Sequence, residues 1–153
     1  MLSSKLVRLI ESHWEPLTNA IVRQIRGDLR LDHVGRLPDS ELRERGRDIL
    51  ERLGHWLTVS GEHELARHFG RVGATLLRED IPLAEVVLAY SIIKKGIIDY
   101  VRAQGIGPDT MELYAEEELE HEAGRFFDAA LYHLVRGHEE AAANPLVAHA
   151  GSR

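Results

Sequence analysis

Histidine and glutamate recur in this chain at spacings that suit metal chemistry. Glu118 and His121, in "EEELEHE", stand three apart, so a helix brings both to one face, as carboxylate and imidazole ligands converge in di-iron bundles. A complete site of that kind needs a second such pair and two further inward glutamates. Glu64 with His68, and Glu51 with His55, stand four apart instead. In a run as charged as "AEEELEHEAGR" the expected role of Glu118 and His121 is a solvated helix face, and a carboxylate/histidine metal or haem bundle is the alternative.

His133, followed by Arg136 and Gly137 in "HLVRGH", resembles the His-x-x-Lys-Gly core of histidine phosphotransfer domains, in which the imidazole accepts a phosphoryl group beside a cation. Glu139 and Glu140 follow within two turns and would repel that group, so a partly exposed helix histidine is the expected role and phosphotransfer the alternative. No Gly-x-Ser-x-Gly elbow, phosphate loop or dinucleotide fingerprint occurs. His55 and Trp56, in "LGHWL", have apolar neighbours and are expected to pack in the core. These readings predict neither an enzyme nor a resident cofactor.

The elements that carry these residues are helical throughout, with no alternating run of strand type. A first helical region is expected over Ser4 to Arg26, kinked or restarted at Pro16, whose ring lacks a donor and crowds the preceding turn. A polar connector, "GDLRLDHVGRLPDS", leads to a second helix opening at Asp39 or Ser40 and ending near Val59. "SGE" at Ser60 to Glu62 caps a third helix that runs to Glu79. Pro82 opens a fourth, to Gln104, with its φ already set for a first turn. After "GIGPDTME", where Asp109 and Glu112 make a capping-box variant, a long fifth helix extends to Ala143. Residues 1–143 thus read as one helical domain, and 144–153 as a frayed tail or truncated linker.

Composition narrows the classes of function. At 153 residues the chain suits one domain that buries roughly 68–70% of its unfolded surface, and it contains no cysteine, which excludes disulfides and thiolate chemistry and fits a reducing compartment. A net charge of −6, with acidic residues among the arginines in "ELRERGRDILER", argues against a nucleic-acid partner. The start, "MLSSKLVRLIESHWEP", lacks the uninterrupted apolar core of an export signal. The apolar stretch from Val86 to Ile93 falls well short of the ~20 residues of a membrane span. A cytoplasmic protein is expected.

The fourth helix carries two apolar stripes, one of Leu83, Val86, Val87, Tyr90, Ile93, Ile97 and Val101, the other of Leu88, Ala89, Ile92 and Gly96. Together they exceed the ~100° arc of a surface helix, so this helix is expected to lie centrally. Gly46, Gly54, Gly70, Gly73, Gly96, Gly124 and Gly137 all fall within helices, at a cost of roughly 1 kcal/mol each relative to alanine, which predicts close helix crossings of a globin-like or bundle-like kind. On the fifth helix Leu119, Ala123, Phe126, Phe127, Ala130 and Leu134 recur at three and four. That spacing suits packing on the domain and pairing with a partner helix alike.

Taken in order, "LIESHWEPL", "LPDSELRERGRDILERLGHWL", "FGRVGATLLREDIPLAEVVLAYSIIKKGIIDYV" and "RFFDAALYHLVRGHEEA" resemble the N-terminal domains of the RsbR and RsbRD type. These belong to the stressosome co-antagonists and also stand at the front of some bacterial sensor histidine kinases. The resemblance spans about Leu9 to Ala141 and rests on the ensemble of segments. It implies a non-enzymatic input domain, often dimeric, whose last helix leads into a kinase or a STAS-type anti-sigma-factor antagonist module. A distant likeness to globin-type sensors sets Gly73 where those proteins carry the haem-ligating histidine, with His68 one turn too early, which implies that haem is absent. Under this reading the fourth helix is the inner wall of a core or a pocket; a filled core is expected, the alternative being a ligand pocket that Tyr90 and Lys94 would face, and Phe126, Phe127, Ala130 and Leu134 would form the dimer or relay helix.

Overall fold

A computed structural model of the chain describes residues 2–59, 61–104 and 110–144. Among them are six α-helices, one short 3-10 turn and no strand: α1 (Leu2–Ser12), α2 (Trp14–Gly27), α3 (Asp39–Val59), α4 (Glu62–Arg78), α5 (Leu83–Gln104) and α6 (Thr110–Ala143), with the 3-10 turn at Val34–Arg36. The fold is an all-α bundle with a long last helix. Ser60, Asp109 and residues 145–153, on which the expected cap, the start of the capping box and most of the tail fall, lie outside the described residues.

The expected first helix is two. Pro16 sits in the first turn of α2, where its missing N–H has no partner to lose, but its ring would meet the carbonyl four residues back, at Ser12. The chain accordingly leaves helical geometry at His13 (φ −117°, ψ 18°), and the His13 ring nitrogen Nδ1 lies 3.0 Å from the Leu9 carbonyl oxygen at the end of α1. The break permits α1 to pack on α3 and α6 while α2 packs on α3 and α5.

The polar connector after α2 is anchored at both ends by side chains. Arg26 donates from Nη1 to the Gly35 carbonyl, from Nη2 to the Leu37 carbonyl and from Nε to Asp39 Oδ1, each at 2.8 Å, so one guanidinium joins the end of α2 to the start of α3. From the other side Glu85, in the first turn of α5, accepts the backbone N–H of His33 at 2.8 Å and of Val34 at 3.1 Å, capping the 3-10 turn. Its other oxygen lies 2.6 Å from His33 Nδ1.

One contiguous core joins all six helices, and an edge-to-face aromatic cluster stands in it. Phe126 meets Trp56 with ring centroids 6.3 Å apart, Phe69 at 5.9 Å and Phe127 at 5.1 Å, linking α3, α4 and α6. The tightest approach is between α4 and α6, and it is made by glycine. A Cβ on Gly73 would collide with the Leu134 carbonyl oxygen and stand 2.8 Å from the His138 nitrogen, while a Cβ on Gly137 would stand 2.7 Å from the Gly70 Cα. Gly96 is close to the Ile21 side chain, at 3.2 Å. Gly54 and Gly124 have nothing within 4 Å, so the expectation of close crossings fails at those two positions.

Helix α5 lies between α2 and α6 and buries Val86, Ala89, Tyr90, Ile93, Ile97 and Val101. It is not covered all round: Val87 is 43% exposed, and Leu88, Ile92 and Gly96 are half-buried. Among the described residues no helix is long and apolar enough to cross a membrane.

Candidate functional site

Four helices leave a cavity of about 570 Å³ between them. Helix α2 contributes Thr18, Ile21 and Ile25, one turn apart on a single face, and α3 contributes Leu42, Gly46 and Ile49 in the same register. Val72 and Leu76 of α4 and Val86, Ala89 and Ile93 of α5 complete walls that are mainly aliphatic. Gly46 keeps the α2–α3 side open, since a Cβ there would already touch Thr18 Cγ2 at 3.4 Å.

Polar and charged side chains interrupt those walls. His68 Nε2 lies 2.7 Å from Asp48 Oδ2, joining α4 to α3, and the imidazole meets Phe69 edge-on at 5.0 Å. Tyr90 is buried, and burial first, then the negative charge of Asp48, raises its hydroxyl well above the ordinary value of 10.0, with Arg45 acting in the opposite sense. It therefore stays a neutral donor and acceptor at any physiological pH. Arg45 in turn holds Glu79 at 2.6 Å near the rim. Thr18 is 1% exposed, and its hydroxyl oxygen has no hydrogen-bond partner among the described residues.

Of the residues expected to face a ligand, Tyr90 lines this cavity and Lys94, one turn on, does not. Phe126, Phe127, Ala130 and Leu134 are all fully buried, with Phe127 edge-on to Tyr90 at 6.2 Å. Their stripe is spent on the intramolecular core, so a partner helix would have to meet another face of α6. Sequence reading missed the Asp48–His68 pair, Thr18 and the capping role of Glu85. Asp48 and His68 are twenty residues apart and sit in ordinary amphipathic turns, and Thr18 carries no spacing signal at all.

The histidine and carboxylate candidates are dispersed. Glu118 and His121 are both exposed, His55 pairs with Glu64 at 3.2 Å, and Glu51 with Arg47 at 3.2 Å. Among the described residues no three of the histidine, aspartate and glutamate side chains gather as a metal site would require. His133 Nε2 is buried without a hydrogen-bond partner, 3.8 Å from Glu62 Oε1. Gly73, where the resemblance to globin-type sensors would set a haem ligand, faces the α6 backbone, and a side chain there has no room.

Chemically, the arrangement offers a partly open, mainly aliphatic space with neutral hydroxyls and a carboxylate–imidazole pair in its walls and charged side chains at its rim. Among the described residues no hydroxyl hydrogen-bonds to the His68 ring, whose partner is Asp48. A second cleft of about 480 Å³ lies between α1 and α3, where Arg47 stacks over Trp14 at 4.8 Å. Compared with known proteins, the chain matches no family model, no curated protein and no solved structure.

Proposed function

We propose that this chain is a non-enzymatic sensory or regulatory domain of bacterial signal transduction, working in the cytoplasm as a homodimer. One observation carries the reading: Tyr90 forms part of the cavity wall and also meets Phe127 of α6 edge-on at 6.2 Å. A molecule entering the cavity touches a side chain that touches the long helix. Packed cores shift between discrete arrangements rather than deforming continuously, so a displaced Tyr90 ring moves Phe127 and α6 with it. At 34 residues and ~1.5 Å rise each, α6 spans roughly 50 Å, enough to carry that shift to a kinase or an anti-sigma-factor antagonist module.

The surface of α6 suits association. Tyr114 and Tyr132 are 62% and 58% exposed, and they stand eighteen residues, or five helical turns, apart on the same line of the helix. Large aromatics are enriched where proteins meet, and Arg136 lies over the Tyr132 ring at 6.0 Å. Light scattering on the size-exclusion peak at tens of micromolar is expected to give a dimer. A monomer at that concentration refutes the reading.

A further inference from the structure

We infer that the cavity between α2, α3, α4 and α5 binds a neutral, mainly aliphatic molecule with a hydroxyl or carbonyl head group, held through Thr18 and Tyr90. The inference deepens the sensory reading and rests on it for the consequence of binding, though not for binding itself.

Thr18 is the first reason. The Thr18 side chain lines the cavity, and its buried hydroxyl oxygen, with no partner among the described residues, is a group awaiting a hydrogen bond, because buried polar atoms are satisfied in nearly all folded proteins. Tyr90, which lines the same space, carries a second hydroxyl. It can donate to a carbonyl or accept from an alcohol.

Charge is the second reason. The carboxylates of Glu41, Glu44, Asp48 and Glu79 border the cavity against the guanidiniums of Arg45 and Arg71, four to two. Arg45 is engaged by Glu79 and Glu41, and Asp48 by His68 and Arg52, which leaves Glu44 and Arg71, one of each sign, at the exposed rim; a carboxylate or phosphate head group therefore finds no unpaired cation among the aliphatic walls to replace its hydration. A cationic head would find Glu41 and Glu44 at the exposed rim, but lowering a charge between Ile21, Leu42, Leu76 and Ile93 strips its hydration without replacing it. An uncharged head loses little on entry, and the hydroxyls meet it.

Size is the third. About 570 Å³ lies within the range of small-molecule pockets and suits a medium-length chain or a compact ring system.

The test uses the whole chain and three probes of one length, 1-decanol, decanoate and decylamine, titrated at pH 7 by calorimetry and followed by backbone amide NMR. Expected is saturable binding of decanol at least about tenfold tighter than either ion, with shifts centred on Thr18 and Tyr90. Thr18→Val, which removes the hydroxyl and keeps the shape, should weaken decanol about tenfold with an unchanged or higher melting temperature, and Thr18→Ser should retain the preference. Ala89→Leu, which sets three more carbons into the cavity from its wall, should weaken binding at least about tenfold. Equal or tighter binding of decanoate or decylamine, no saturable decanol binding, or an unchanged affinity in a folded Thr18→Val overturns the inference. Light scattering on the same samples reports separately on the dimeric reading: a monomer that binds decanol refutes that reading alone, and a dimer that binds none of the probes refutes this one.

Discussion

Gly137 of α6 sits against Gly70 of α4 so closely that a Cβ on Gly137 would stand 2.7 Å from both the Cα and the carbonyl carbon of Gly70. One turn along α4, Gly73 stands in the same relation to the α6 backbone at Leu134 and His138. These contacts set how deeply α6 seats on α4. They thereby set how far Phe126 and Phe127 reach toward Phe69 and Tyr90.

The obstacle at both glycines is backbone, which cannot rotate away as a side chain does. Gly73→Ala and Gly137→Ala are therefore expected to cost about 3 kcal/mol or more in urea denaturation, the upper range for overpacking. Gly124→Ala, with nothing within 4 Å of its added carbon, should be neutral or stabilising by up to about 1 kcal/mol.

Glu85 is the buried carboxylate that closes the connector. Burial opposes its charge, but the backbone N–H of Val34, the His33 ring and the His33 N–H together outweigh that, and its carboxyl titrates below the ordinary 4.5. A carboxyl lowered in the folded state contributes stability above its unfolded value, and the contribution is lost as pH falls through the lowered native value. Thermal unfolding between pH 7 and pH 2 should show that acid-side loss, and Glu85→Gln should flatten it. Glu85→Ala leaves the Val34 N–H buried and unpaired and is expected to cost roughly 1–3 kcal/mol at pH 7.

Asp80 closes α4 in the left-handed region, at φ 55°, with the Ile81 N–H bonded to the Leu76 carbonyl at 3.2 Å. Aspartate tolerates this conformation and β-branched residues do not. Asp80→Val should lower stability by about 1–2 kcal/mol, and Asp80→Gly should leave it equal or slightly higher, both read as midpoints of chemical denaturation.

Tyr132 is exposed and touches the core only through its helix, so Tyr132→Glu should leave the circular dichroism spectrum and melting temperature nearly unchanged. If α6 pairs through this face, the same substitution weakens the dimer at least about tenfold, seen as a monomer in light scattering at low micromolar concentration. An unchanged dimer would move the interface elsewhere.

Much of the secondary structure was legible because its causes are local. Apolar spacing of three and four, Pro16, Pro82 and the polar connector mark helices within a residue or two of where they stand, since a helix is made by neighbours along the chain. Even the break at His13, assigned to Pro16 as a kink, follows from one proline ring and the carbonyl four residues before it. The stripe Phe126, Phe127, Ala130 and Leu134 was visible as apolar but not as inward-facing, because spacing shows that residues share a face and not what covers it.

Tertiary structure alone decided the cavity, the 2.7 Å approach of His68 to Asp48, and the bonds from residues 33 and 34 to Glu85 more than fifty positions away. Each joins groups whose separation depends on how whole helices cross, and the crossings are set by which glycines let backbones touch. The sequence by itself determined an all-helical chain with a long last helix. Where those helices meet, and the space they leave around Thr18 and Tyr90, was decided by side-chain volume in three dimensions.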